Sequence, residues 1–169
     1  MTDLPYSHPF SVTDLPPGGF DLELNPDAAT CAALARHAGV LAVEQLVARL
    51  HLAPEGAAGV HVTGRLTATV RQTCGVTLEP FDAPLSEGID VHFVPAGTFR
   101  PADTDEENEI DPPDEIQDGH IDAGALVSEF LALGVDPYPR KPGAVFEPPA
   151  EDVAAASPFA ALARLKDGE

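Results

Sequence analysis

The longest unbroken alternation in the chain, GVHVTGRLTATVRQTCGVTLEP at residues 59–80, limits the possible folds more than any other stretch. Val60, Val62, Gly64, Leu66, Ala68 and Val70 alternate with His61, Thr63, Arg65, Thr67, Thr69 and Arg71. A period of two sends the first set to one face of a β-strand and the second to the other, so one face packs and the other is wetted. Cys74 follows at the strand's end, between Thr73 and Gly75, and is the one side chain there with a claim to special chemistry.

The strand needs a partner. Residues 40–52, VLAVEQLVARLHL, place Leu46, Ala48, Leu50 and Leu52 opposite Gln45, Val47, Arg49 and His51 in the same alternation. Their Ala and Leu content also suits a helix, but the alternation that resumes after the turn at 53–59 favours a hairpin with arms near 45–52 and 60–72. Arg49, His51, His61 and Arg65 then share its wet face. Val76 to Phe81 reads as a further short strand, and Leu85, Ile89, Val91 and Phe93 as another. Upstream, Phe20, Leu22 and Leu24 mark a short edge strand. Asn25 and Pro26 open a helix whose apolar side carries Ala28, Cys31, Leu34, Ala35 and Ala38, with Gly39 as its stop. A second helix starts at Asp122, with Leu126, Phe130 and Leu133 directed to the sheet, and ends before Asp136-Pro137.

The expected fold class is therefore α+β: a small antiparallel β-sheet or partly open barrel packed with two main helices, an acidic mobile loop and a short C-terminal helix. The 169 residues divide into a flexible N-terminus at 1–8, one domain at 9–145 and an extended tail at 146–169. The tail carries a short amphipathic helix at 158–166, where Phe159, Leu162 and Leu165 form the apolar side. Such a helix is too short to be stable alone and must dock, on the chain's own core or on a partner.

Charge narrows the partners. The chain has 28 acidic and 9 basic side chains, a formal charge of -19, and residues 100–119 alone hold nine acids and three prolines. That stretch cannot pack against its own charge and reads as a solvated excursion within the domain, either a plain linker or an arm for a basic protein. Bare nucleic acid is disfavoured by the overall charge. No apolar run approaches the ~20 residues of a membrane helix, and MTDLPYSHPF lacks the basic start and apolar core of a signal peptide, so the expected location is the cytoplasm without membrane insertion.

Catalytic patterns are few. A thiol nucleophile needs a base, and the only constellation on offer is Cys74 with His51 or His61 across the hairpin. Paired acids such as Glu106-Glu107 lie in the solvated stretch, where no buried walls would tune them. Phosphate-loop, dinucleotide and nucleophile-elbow patterns are missing from the sequence.

RQTCGVTLEPFDAPLSEGIDVHFVP, the acidic run, DPPDEIQDGHIDAGALVSEFLALGVDPYPRKPGAVF and the terminal SPFAALARLK together resemble the YceD family, the large ribosomal RNA subunit accumulation proteins, in the form of its alphaproteobacterial branch. The resemblance runs from about residue 9 to 166. It implies a non-catalytic factor needed for normal accumulation of large-subunit ribosomal RNA. Many members end the strand in Cys-x-x-Cys and carry a second cysteine group after the late helix. Here Cys74 matches the first cysteine, Thr77 stands at the second, and 139–143 (PRKPG) has none. The zinc-knuckle pattern is incomplete, and neither metal nor cofactor is expected.

The leading expectation is thus a ribosome-biogenesis factor that contacts a ribosomal protein or a pre-large-subunit particle through its acidic arm and through Phe159, Leu162 and Leu165. A direct RNA contact through Arg49, Arg65, Arg71, Arg140 and Lys141 is the second reading. A structural adaptor without RNA contact and a thiol-dependent enzyme using Cys74 are the remaining ones.

Overall fold

The structure, a computed structural model, describes residues 4–98 and 113–146. The acidic run at 99–112 and the docking helix at 158–166 lie outside the described residues. In chain order come β1 (Pro9–Ser11), a 3-10 turn (Val12–Asp14), β2 (Phe20–Leu24), α1 (Ala28–Ala38), β3 (Ala42–Glu55), β4 (Gly59–Thr73), β5 (Pro80–Pro95), β6 (Asp114–Ile116), β7 (His120–Asp122) and α2 (Ala123–Gly134). Among the described residues these build a five-stranded sheet in the order β2-β3-β4-β5-β6 and a two-stranded ribbon of β1 and β7. The fold is α+β, as the sequence implies.

The meander β3-β4-β5 is the frame. All three strands are antiparallel and long, 14, 15 and 16 residues, and the hairpin between β3 and β4 closes at Glu55 opposite Gly59. Alternation does what the pleat requires. Leu46, Ala48, Leu50 and Leu52 of β3, with Val60, Val62, Leu66, Ala68 and Val70 of β4 and Leu85, Ile89 and Phe93 of β5, are buried. Burial of each Leu or Val is worth about 1.5–3 kcal/mol. Leu34 of α1 and Leu126, Val127 and Leu131 of α2 cover this face. Pro84 is tolerated in β5 because β6 pairs only with Phe93–Pro95, which leaves the outer edge beside Pro84 free of a ladder within the described residues. At Gly64, which is exposed, β3 and β4 approach too closely for any side chain; a Cβ there would overlap the Arg49 carbonyl oxygen.

Several local expectations are corrected. The cap of α1 is Asp27, not Asn25: its Oδ1 accepts the Thr30 N–H at 2.8 Å, so Pro26 stands just outside the helix. Of the strand expected at 76–81 only Pro80 and Phe81 are extended, as the start of β5, and residues 76–79 form no strand. Cys74 donates its N–H to the Glu79 carbonyl and accepts from Leu78 N–H, closing a tight turn with Leu78 at φ 59°. The end of the acidic stretch is not solvated throughout, because Ile116 is buried and β6 runs parallel to β5. In α2 the inward residues are Leu126, Val127 and Leu131, while Leu133 points to solvent at 79 % exposure. Ahead of β1, Ser7 Oγ donates to Asp122 Oδ2 at 2.6 Å and His8 N–H to Asp122 Oδ1 at 2.7 Å.

Candidate interaction surface

The strand pleat delivers Arg49, Arg65 and Arg71 to the wet face of the sheet. Arg49 and Arg65 are direct cross-strand partners, and Arg71 lies six residues further along β4, roughly 20 Å away at ~3.3 Å per residue. Two of the three are engaged by carboxylates. Arg49 Nε meets Glu23 Oε2 at 2.8 Å, and Arg71 meets Asp82 Oδ1 at 2.8 Å and Glu44 Oε1 at 3.3 Å. The hydrogen bond from Arg71 holds the Asp82 carboxyl below the usual carboxylate range. Arg65 donates instead to the Ser86 hydroxyl at 3.0 Å. These pairs are exposed and screened by solvent and salt, so they add little to stability. Their effect is to cancel positive charge locally.

Cys74 stands elsewhere. Val70, Gln72 and Cys74 continue the inward alternation past the end of β4, and the Cys74 side chain is wholly buried. Its Sγ accepts backbone N–H groups from Val76, Thr77 and Lys141, each at 3.4 Å. Gly75 N–H donates to the Pro139 carbonyl at 2.8 Å, and Gln72 Nε2 to the Asp136 carbonyl at 3.0 Å. Lys141 Nζ reaches Glu79 Oε2 at 2.9 Å and lowers the pKa of that carboxyl. The turn after β4 and the segment at 136–141, more than sixty residues apart in sequence, are thus stitched around one sulfur. The Thr77 hydroxyl and the backbone N–H groups of Thr77, Lys141 and Val76 favour the thiolate over the burial that opposes it, and the pKa falls from an ordinary 9.0 to about 6. Arg140 and Lys141 therefore sit beside Cys74, as the sequence could not show, with Arg140 exposed to solvent.

The histidines take different places from those expected. His51 stands opposite Thr63 and His61 opposite Ala53, near the hairpin end of the ladder, while Cys74 lies past Thr73 at the other end. A Cys-His pair is not assembled. His51 Nδ1 lies 2.7 Å from Asp21 Oδ1. His61 instead faces His92 of β5: their rings stack with centroids 4.2 Å apart and planes within 7°. Asp90 lies 2.6 Å from His61 Nε2 and Glu55 lies 2.7 Å from His92 Nδ1. The sequence reading passed over His92, Glu55 and Asp90. The register of β4 on β5 was the signal that could have found them, since it sets residue 61 opposite residue 92.

With this geometry in place, the comparison with known families is decisive. The family model for the large ribosomal RNA subunit accumulation protein YceD matches residues 62–166, well over half of the chain. The chain belongs to the YceD family. No curated protein and no solved structure matches it. The matched span includes Cys74, Arg140 and Lys141 and starts within β4, leaving β1, β2, α1 and β3 outside.

The zinc knuckle suggested by YceD relatives with paired cysteines does not fit these residues. Tetrahedral zinc wants several thiolate or imidazole ligands. Around Cys74 the described residues supply one sulfur, a threonine at the second knuckle position and backbone N–H groups where further ligands would stand. Hydrogen bonds join the two stretches. Among the described residues, the groups that hydrogen-bond to this sulfur are the N–H groups of Val76, Thr77 and Lys141, which are donors and not bases.

Proposed function

We propose that this YceD-family chain supports accumulation of large-subunit ribosomal RNA through protein contacts, docking on a basic ribosomal protein or on the pre-large-subunit particle that carries it. It acts in the cytoplasm, without catalysis, as a member of the family's alphaproteobacterial branch. The observation that carries the protein-contact reading is the pairing of Arg49 and Arg71 with Glu23, Glu44 and Asp82. A guanidinium already held by a carboxylate has little to offer a phosphate, and a net charge of -19 repels bare RNA at long range. The same charge attracts a basic protein. The acidic run at 99–112 and the apolar residues Phe159, Leu162 and Leu165 supply the contact in this reading, with Leu41, 59 % exposed, adding apolar surface on the body. No helix among the described residues is long and apolar enough to cross a membrane.

The direct RNA reading rests on Arg65, whose partner is a hydroxyl, and on the exposed Arg140. One experiment separates the two. Purified protein is sedimented with pre-large-subunit particles at low salt and crosslinked for mass spectrometry, alongside a variant with Arg49, Arg65, Arg71, Arg140 and Lys141 all changed to Gln. Crosslinks to ribosomal proteins that survive the five substitutions are the expected result. Co-sedimentation lost in the variant, together with a salt-sensitive complex of the wild type with naked RNA, would transfer the function to the arginines.

A further inference from the structure

We infer that the hairpin end of the sheet is a binding site for a divalent transition-metal ion, held by the imidazoles of His61 and His92 together with the Glu55 carboxylate. Three neighbouring strands contribute one ligand each: Glu55 closes β3, His61 opens β4 and His92 lies near the end of β5. Their donor atoms all lie within 4.8 Å of one another. Two imidazoles and one carboxylate are the donor set of open zinc sites, with water completing the tetrahedron. Imidazole nitrogen selects zinc, nickel or copper over calcium and magnesium, which prefer oxygen.

The present hydrogen bonds orient these ligands. His92 Nδ1 and Glu55 Oε2 are 2.7 Å apart and share one proton. An ion with ~2.0–2.1 Å bonds replaces that proton and widens the edge to ~3.3 Å, a small opening for two half-exposed side chains. His61 is held at Nε2 by Asp90, which leaves Nδ1 for the metal, and a carboxylate at the far nitrogen is the usual support of a ligating histidine. Asp90 Oδ1 also lies 3.9 Å from His92 Nε2, so one carboxylate faces both rings. The stacked rings send their nitrogens in similar directions, and His61 tilts about its outer side-chain bond to share the ion. Its position at the sheet surface leaves room for that tilt. A built-in contrast stands on the same wet face. His51 forms an equally short contact with Asp21, but among the described residues no second imidazole joins it to complete a set of three ligands.

The test is calorimetric titration of the full chain with zinc chloride at ~0.15 M salt and excess magnesium, which removes weak binding to the many acids. One ion per chain is expected, with affinity reduced roughly tenfold or more in His61→Ala and in His92→Ala and unchanged in His51→Ala. Zinc should also shift the ring resonances of His61 and His92 selectively in nuclear magnetic resonance spectra of the wild type, a readout that needs no variant. Absence of zinc binding under excess magnesium, equal binding by all three variants, or ring shifts confined to other histidines would overturn the assignment.

Discussion

Replacing Gly64 by alanine tests the central contact of the sheet. Gly64 lies between Leu50 of β3 and Ile89 of β5. A Cβ at this position would overlap the Arg49 carbonyl oxygen and stand 2.9 Å from Leu50 Cα and 3.0 Å from the Arg49 carbonyl carbon. All three atoms are backbone, so no side chain can swing away. A comfortable carbon-to-oxygen contact is about 3.3 Å, and the ladder must open by roughly 1 Å to reach it. The opening weakens one or two ladder hydrogen bonds, at about 1 kcal/mol each, and strains the packing around Leu50 and Leu66 by about 1–3 kcal/mol. The sum is ~2–5 kcal/mol, a large share of the ~5–15 kcal/mol that stabilises an ordinary domain. At ~2–4 °C per kcal/mol, differential scanning calorimetry should register a drop of roughly 4–20 °C. Gly88 is the internal control: it lies in β5 opposite Arg65, and a Cβ there meets nothing within 4 Å. Gly88→Ala should stay within about 0.5 kcal/mol of the wild type. Similar melting of the two variants would refute the close approach of β3 to β4 at residue 64.

Two further outcomes follow from titratable groups. The Cys74 pKa is depressed to about 6 from 9.0, so between these values the unfolded chain takes up a proton that the folded chain does not, and stability rises with pH. The melting temperature of the wild type minus that of Cys74→Ser should therefore increase from about pH 6 to pH 9, and a flat difference would show that the sulfur is not held as a thiolate. Asp122 is opposed by its partial burial, but hydrogen bonds from Ser7 and from the N–H groups of His8, Ala125 and Gly124 bring its carboxyl below the usual range. Asp122→Ala should cost about 1–2 kcal/mol at neutral pH, and the deficit should vanish as pH falls through the depressed folded value, measured by denaturant melts across that range.

Period and turn chemistry carried most of the fold into the sequence. Residues 60–70 named their own buried face except at the exposed Gly64, Gly39 named the end of α1 with its left-handed φ of 69°, and Asp122 named the start of α2. Local preference failed where distant partners decide. Val76 to Phe81 has the composition of a strand, but the Cys74 sulfur draws the N–H groups of residues 76 and 77 into a turn. Ile116 is an isolated apolar residue among acids, and only its place beside Pro95 of β5 gives it a core to enter. The interaction surface was legible in part. Alternation assigned the arginines to one face, but their carboxylate partners come from β2, β3 and β5, and strand register is not written in any one segment. The pairing of His61 with His92 depends on the same register. The union of Cys74 with residues 139–141 spans a sequence distance that no local pattern reaches.

The ribbon of β1 and β7 has a consequence for the timing of folding. Pro9 pairs with Asp122, and the hydrogen bonds from Ser7 and His8 end on the same carboxylate. At ~5–20 residues per second, residue 122 is synthesised roughly 6–20 s after residue 9. The β2–β5 meander has all its residues by position 95 and can close while the ribosome is still at work. Residues 9–11 must wait for residues 120–122, with the Phe20 ring as an earlier contact for Phe10. A nascent chain stalled before residue 120 therefore holds the meander without the ribbon, and residues 7–11 stay open to protease long after the meander has formed.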